Sequence, residues 1–247
     1  MEGTSKNEFQ LHNNGGFLTK YQEYLGEFVY GGIDGSITTF AVVAGAVGAG
    51  LDSSIILIMG FANLFADGFS MSIGAYLASK SEKEFYKNQE RIEYWEVENV
   101  PEKETEEIRI IYSAKGFEGD LLEEVVKVIT ADKKRWVDTM MKEELELIEE
   151  KKSSFMVGLM TFISFFTLGL VPLLIYVIDY ITPLTINLLL ISSSLTLLMF
   201  FIIGYLKGII TQVNKVKSSI ETFLMGSIAA SVAYYVGYFI EQLITQH

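Results

Sequence analysis

The chain has 247 residues and a formal net charge of −12, and 50% of it is hydrophobic although 20% is charged. Apolar and charged residues must therefore be segregated, as in a membrane protein with a water-exposed part. There is no cysteine, and the two histidines, His12 and His247, stand near the ends, so disulfides, thiol chemistry and a Cys/His zinc site are excluded by inventory.

In chain order, residues 1–22 are a polar tail in which no short apolar core precedes a cleavage site, so the first membrane helix is expected to act as its own insertion signal. Five apolar stretches then approach the roughly 20 residues that a helix needs to cross a bilayer core. They run from Tyr30 to Leu51, Ile55 to Leu77, Phe155 to Tyr180, Leu184 to Leu206 and Phe223 to Ile244. The reading is an all-α integral membrane protein, with transmembrane helices 1 and 2 in residues 23–80 and helices 3 to 5 in residues 153–247.

Helix 1 carries Asp34 inside an apolar run, and helix 2 carries Asp67. An ionisable group in a membrane helix costs about 2.5 to 3.5 kcal/mol on insertion scales, so it is usually paired, hydrated or functional. Asp34 reads as a pathway residue, or as one solvated by headgroup water near the helix end. For Asp67 the choice lies between a pathway residue and a buried hydrogen-bond partner. Asn63, Asp67 and Met71 follow one another at i, i+4, i+8, a polar stripe that must face a cavity or another helix. Small residues on helix 1 (Gly31 and Gly35; Ala41 and Gly45; Ala44 and Gly48; Ala46 and Gly50) are spaced for close helix approach. They serve either packing within the chain or a homodimer seam.

Residues 81–152 are one hydrophilic block with a local net charge of −8. A nucleic-acid or anionic-lipid partner would require the opposite sign. The block predicts four helices. The first continues helix 2 without a breaker through SEKEFYKNQERIEYWEVEN, and the second starts at Pro101 and stops at Gly116. The third runs from about Glu118 to Thr130, and the fourth starts near Asp132 and feeds through MMKEELELIEEKK into helix 3. Of the 19 Lys and Arg, 14 lie between Lys80 and Lys152, and none falls in the links 52–54 or 179–185 or after helix 5. The positive-inside rule then places the N-terminus and the insert in the cytoplasm and the C-terminus outside or in a lumen.

Within the insert, Glu93 and Glu96 are three apart, as are Glu104 and Glu107. On a helix that spacing puts like charges on one face, where they repel unless a cation lies between them. Such pairs are also common on solvated helices, so a metal site and a solvated face are both open readings. Met140 shares a face with Glu144 at i, i+4, next to Met141, and a thioether among carboxylates suits a borderline metal such as ferrous iron better than magnesium or calcium.

Four segments in this order, GGIDGSITTFAVVAG, NLFADGFSMSIGAYLASKSE, YWEVENVPEKETEEI and WVDTMMKEELEL, resemble the vacuolar iron transporter family of ferrous and manganous ion transporters. The resemblance covers nearly the whole chain from about Tyr24. It implies a homodimer whose ion path runs between the two copies of helices 1 and 2, and a cytoplasmic domain that collects metal. It assigns metal binding to Glu93, Glu96, Glu104, Glu107, Met140 and Glu144, with Met141 a weaker match, and the pathway to Asp34 and Met71. The family moves metal out of the cytosol by proton antiport. This chain departs from some vacuolar members in having Asn63 where they carry a glutamate; an amide cannot carry a proton, and Asp67 one turn away is the substitute.

The expected protein is therefore a transporter and not an enzyme, without a catalytic cofactor. Its ion is Fe2+, with Mn2+, Co2+ and Zn2+ acceptable to the same ligands. Its partners are a second copy, membrane lipid, divalent metal and protons. The expected location is a prokaryotic plasma membrane, with a vacuole-like membrane second. The rival reading is a membrane-anchored iron-binding or ferroxidase-type storage protein, against which the missing Glu-x-x-His motif argues.

Overall fold

The computed structural model describes residues 22–245; most of the polar tail with His12, and the terminal His247, lie outside the described residues. Among the described residues a short 3-10 turn, Gln22–Tyr24, leads into nine α-helices. These are α1 (Leu25–Gly48), α2 (Ser53–Asn99), α3 (Pro101–Ala114), α4 (Gly119–Thr130), α5 (Lys133–Glu143), α6 (Ser154–Gly169), α7 (Leu174–Ile181), α8 (Leu188–Ile210) and α9 (Lys215–Thr245). No strand occurs among the described residues. Among the described residues five segments are long and apolar enough to cross a membrane: α1, α2, the α6–α7 pair, α8 and α9. The chain divides into two compact units, residues 77–151 and the remainder.

In the apolar unit, α1 packs on α6, α8 and α9, and α8 packs on α9. The core joins Val43 and Ala46 of α1, Ile56 and Leu64 of α2, Phe165 of α6, and Leu173 and Tyr176 around α7. Backbones approach closely where side chains vanish. A Cβ placed on Gly35 would stand 2.3 Å from the Phe165 carbonyl oxygen, and one on Gly237 would stand 2.2 Å from the Gly45 carbonyl oxygen. The helix 1 glycines Gly31, Gly35, Gly45 and Gly48 are thus spent on α6 and α9 of the same chain, so the packing reading of that pattern holds at these positions and the homodimer-seam reading does not.

The third span, Ser154–Ile181, is broken near its middle. Pro172 has no N–H and its ring clashes with the carbonyl four residues back, so α6 ends at Gly169 and a 3-10 turn, Val171–Leu173, precedes α7. At that break the Leu168 carbonyl accepts a backbone N–H of the cap and also the Ser36 hydroxyl of α1, at 3.1 Å. Ser192 of α8 donates to the Pro172 carbonyl at 2.7 Å. Both serines are fully buried and supply the hydrogen bonds that a lipid environment cannot.

In the insert unit, amphipathic α3, α4 and α5 and the polar part of α2 enclose a core of Val97, Ile108, Val126, Ile129, Trp136, Val137, Met140 and Met141. Gly116 closes α3 with φ +93°, a conformation that costs other residues a Cβ clash. The fourth insert helix does not run into the third span. It ends at Glu143, Glu146 adopts φ +53°, and the chain turns back so that the Leu147 N–H reaches the Met141 carbonyl at 2.8 Å. Leu145 and Leu147 pack on the insert core, and burying these two side chains outweighs continuing a highly charged helix.

Candidate metal centre

A single residue, Val100, separates α2 from α3, and Pro101 occupies the first turn of α3 where its missing N–H costs nothing. This reversal sets the glutamates of α2 against those of α3. Carboxylate oxygens of Glu93, Glu96 and Glu104 all lie within 4.8 Å of one another, and so do those of Glu104, Glu107 and Glu144, with Glu104 belonging to both groups. Glu144 enters as the residue that caps α5, its N–H bonded to the Met140 carbonyl.

Burial separates these glutamates from their neighbours. Glu93 is 3% exposed and Glu104 1%, and Glu93 Oε2 and both Glu104 oxygens have no hydrogen-bond donor among the described residues. Lys103 comes only within 4.0 Å of Glu104, and its ammonium bonds Glu107 at 3.0 Å instead. The outer glutamates are engaged: Glu98 by Lys133, Glu106 and Glu123 by Arg109, and Glu143 by Lys115. A buried carboxylate without a donor is costly unless it is neutralised by a proton or a cation.

Charge and burial act together on the titration. Burial pushes Glu93 up to about 7, with Glu144, Glu96, Glu104 and Glu107 adding repulsion. Burial also pushes Glu104 up to about 7, with Glu107 and Glu96 adding, against a small opposing effect of Lys103. Glu144 is raised too, by burial and then by Glu107 and Glu96. The donor set, oxygen anions clustered in a pocket short of hydrogen-bond donors, fits a divalent cation, which would replace the protons as it enters. Met140 and Met141 are fully buried in the insert core, on the helix turn that precedes Glu144.

In the apolar unit, Asn63, Asp67 and Met71 are all half-buried along α2, and Asp34 is half-buried on α1. The Asn63 amide nitrogen is buried with no acceptor among the described residues. Met71 packs at the edge of the core. Asp34, Asn63, Asp67 and Met71 thus belong to the apolar unit, and the clustered glutamates belong to the insert unit.

Sequence reasoning missed Glu27. Helix 1 begins at Leu25 rather than Tyr30, so Glu27 is helical, pairs with Lys152 at 2.9 Å and keeps its Oε2 buried without a hydrogen bond. The signal was present in the placement of Glu27 ahead of an apolar run, where an acidic first turn favours a helix start.

A family model, that of the VIT family, matches residues 25–238. The chain is 35% identical over 230 residues to the vacuolar iron transporter of Toxoplasma gondii, covering 90% of this chain and 76% of that protein. It is 34% identical over 232 residues to vacuolar iron transporter 1 of Tulipa gesneriana, covering 94% and 92%, and 33% identical over 213 residues to vacuolar iron transporter 1 of Arabidopsis thaliana, covering 86% and 84%. All three are named for the vacuole, and the expected prokaryotic plasma membrane finds no support among them. With the match running from the first span into the last and these relatives aligned over most of their length, the chain belongs to the VIT family.

Proposed function

We propose that this protein carries Fe2+, with Mn2+ as a second substrate, out of the cytosol across a vacuole-like membrane in exchange for protons. The observation that carries the reading is the pair of carboxylate groups sharing Glu104, whose buried oxygens lack a donor while the surrounding glutamates hold Lys and Arg. The names of the relatives support iron as the ion and the vacuole as the compartment.

In this reading residues 81–152 face the cytosol and collect metal through Glu93, Glu96, Glu104, Glu107 and Glu144, with Met140 and Met141 as soft neighbours. The N-terminus is on the same side and the C-terminus is in the lumen, as the distribution of Lys and Arg supports. Metal then passes to Asp34 and Met71, with Asp67 and Asn63 on the same path. A bound cation favours the ionised carboxylate, so metal arrival releases protons and departure takes them up.

The path forms between two copies of the chain. Support comes from α2, where Ala62, Ala66, Ser70 and Gly74 recur every four residues, all exposed and one position before Asn63, Asp67 and Met71. A stripe of that spacing lets two helices approach closely.

The test is uptake of Fe2+ into proteoliposomes at two imposed proton gradients. The proposal expects uptake to rise with lumenal acidity and Asp34→Asn to abolish it. Uptake indifferent to the gradient removes antiport. The shared Glu104 is also similar to a bridging carboxylate of a di-iron centre, and oxygen consumption on adding Fe2+ would favour the storage reading instead.

A further inference from the structure

The insert is acidic as a whole, yet its lysines are unevenly placed. Lys80, Lys83 and Lys87 follow the apolar run of α2 at i, i+3, i+7, and Lys151 and Lys152 immediately precede α6. In the sequence these are the two points where the insert leaves the membrane-spanning helices. Lys83, Tyr86, Lys87, Glu149, Glu150 and Lys151 together line a cavity of about 370 Å3 within the insert unit.

Their charges are not all committed. Lys83 and Glu150 have partners of their own. Lys80 pairs with Glu84 at 3.7 Å. Lys87, Lys151 and Glu149 make no hydrogen bond or ion pair among the described residues, which leaves two ammonium groups and one carboxylate around the cavity. Burial and the Glu90, Glu149 and Asp138 charges hold the Tyr86 phenol protonated, so it is a hydrogen-bond donor at every physiological pH.

Depth along the chain points to what enters. Lys83 and Lys87 stand six and ten residues beyond Leu77, roughly 9 and 15 Å along a helix axis. Helical side chains lean toward the N-terminus, here back toward the apolar run, and a lysine reaches several ångströms further. With a reach of roughly 6 Å back toward the apolar run, the two ammonium groups come to roughly 3 and 9 Å beyond it, against a headgroup layer of roughly 5–7.5 Å on each side of an apolar core of about 30 Å.

We propose that this cavity binds the phosphodiester headgroup of a membrane lipid, with Lys87 and Lys151 on the phosphate and the Tyr86 hydroxyl donating to a phosphate oxygen. The net balance of the unpaired groups, two positive against one negative, matches a lipid with one phosphate charge, such as phosphatidylglycerol or phosphatidylinositol. It does not match a polyphosphorylated headgroup, which Glu149 would repel.

The test uses the full-length chain in nanodiscs of phosphatidylcholine containing a minor fraction of spin-labelled phosphatidylglycerol, read as enrichment of the motionally restricted lipid. Wild type is expected to enrich phosphatidylglycerol. Each of Lys87→Gln and Lys151→Gln is expected to lower the enrichment about fivefold. Glu149→Gln is expected to raise it, a change that loss of folding cannot mimic. Lys134→Gln with Lys142→Gln, elsewhere on the insert, is the control and is expected to leave enrichment unchanged. Equal enrichment in wild type and the Lys87→Gln, Lys151→Gln double variant overturns the site. So does displacement of the lipid by free glycerol phosphate at matched concentration, which would make the cavity a site for soluble anions.

Discussion

Glu104 of α3 and Glu93 of α2 bring carboxylate oxygens within 4.8 Å of each other at positions almost closed to water, and neither group finds a full set of donors. Each is held up to about 7, chiefly by burial. At neutral pH this pair shares protons, which a divalent cation held there, as proposed, would displace.

Metal affinity should therefore fall as the pH drops below about 7, because protons compete for Glu93 and Glu104, and level off above it. Competition by one proton weakens binding about tenfold per pH unit. Both tryptophans, Trp95 and Trp136, lie in the insert, so quenching of intrinsic fluorescence by Mn2+ at pH 6 and pH 8 reads this directly in the full chain. Affinity equal at the two values would show that neither carboxylate is a ligand.

Without metal, the same raised values set the sign of a stability change. The folded insert binds protons that the unfolded chain has released, so this stabilisation is complete below about 4.5 and is lost as the pH rises through about 7. Metal-free protein should melt at a lower temperature at pH 8 than at pH 6. Glu104→Gln, which removes a buried charge while keeping the shape, should raise stability at pH 8 by about 1–3 kcal/mol and weaken Mn2+ quenching. Thermal unfolding followed by tryptophan fluorescence checks both statements together.

Gly35 is the point where α1 and α6 touch through their backbones. Gly35→Ala should cost about 1–3 kcal/mol, since the Phe165 carbonyl cannot move aside as a flexible side chain would. Gly26→Ala, where nothing lies within 4 Å, should be neutral or slightly stabilising. The half-denaturation temperature of the detergent-solubilised protein distinguishes the two variants, and equal values would mean that α1 can shift away from α6 without penalty.

The proposed seam on α2 makes a complementary prediction. Ala66→Leu and Gly74→Leu add bulk where the single chain leaves space, so monomer stability should hold while the dimer weakens. Light scattering in detergent across a dilution series measures the shift, and an unaltered dimer in both variants moves the seam off this stripe.

Much of the fold was legible because apolar runs of membrane length have few alternatives. The breaks were harder. Pro172 lies in plain view inside the third run, but continuous hydropathy masks a local helix break, beside which Ser36 and Ser192 add hydrogen bonds to the Leu168 and Pro172 carbonyls. The helix 1 glycines were open to two readings because spacing tells that a face packs closely without telling on what; Gly35 faces α6 and Gly45 faces α9. Glu93 with Glu96 and Glu104 with Glu107 stood out in the sequence as i, i+3 pairs, but that spacing is equally common on a solvated helix face. Only burial and the placement of Lys103, Arg109 and Lys133 separate the glutamates with cationic partners from those without. Glu27 was not singled out because it precedes the apolar stretch that begins at Tyr30, although the helix itself begins at Leu25.

The one-residue link at Val100 has a consequence for speed. Glu93 and Glu96 sit at the end of a 47-residue helix, and Glu104 and Glu107 open the helix that follows at once. No loop has to be ordered before the two sets of oxygens meet, so ion capture forfeits little chain entropy. Exchange at such a cluster should be paced by the stripping of water from the ion and the departure of protons, which suits a way station that must release what it holds.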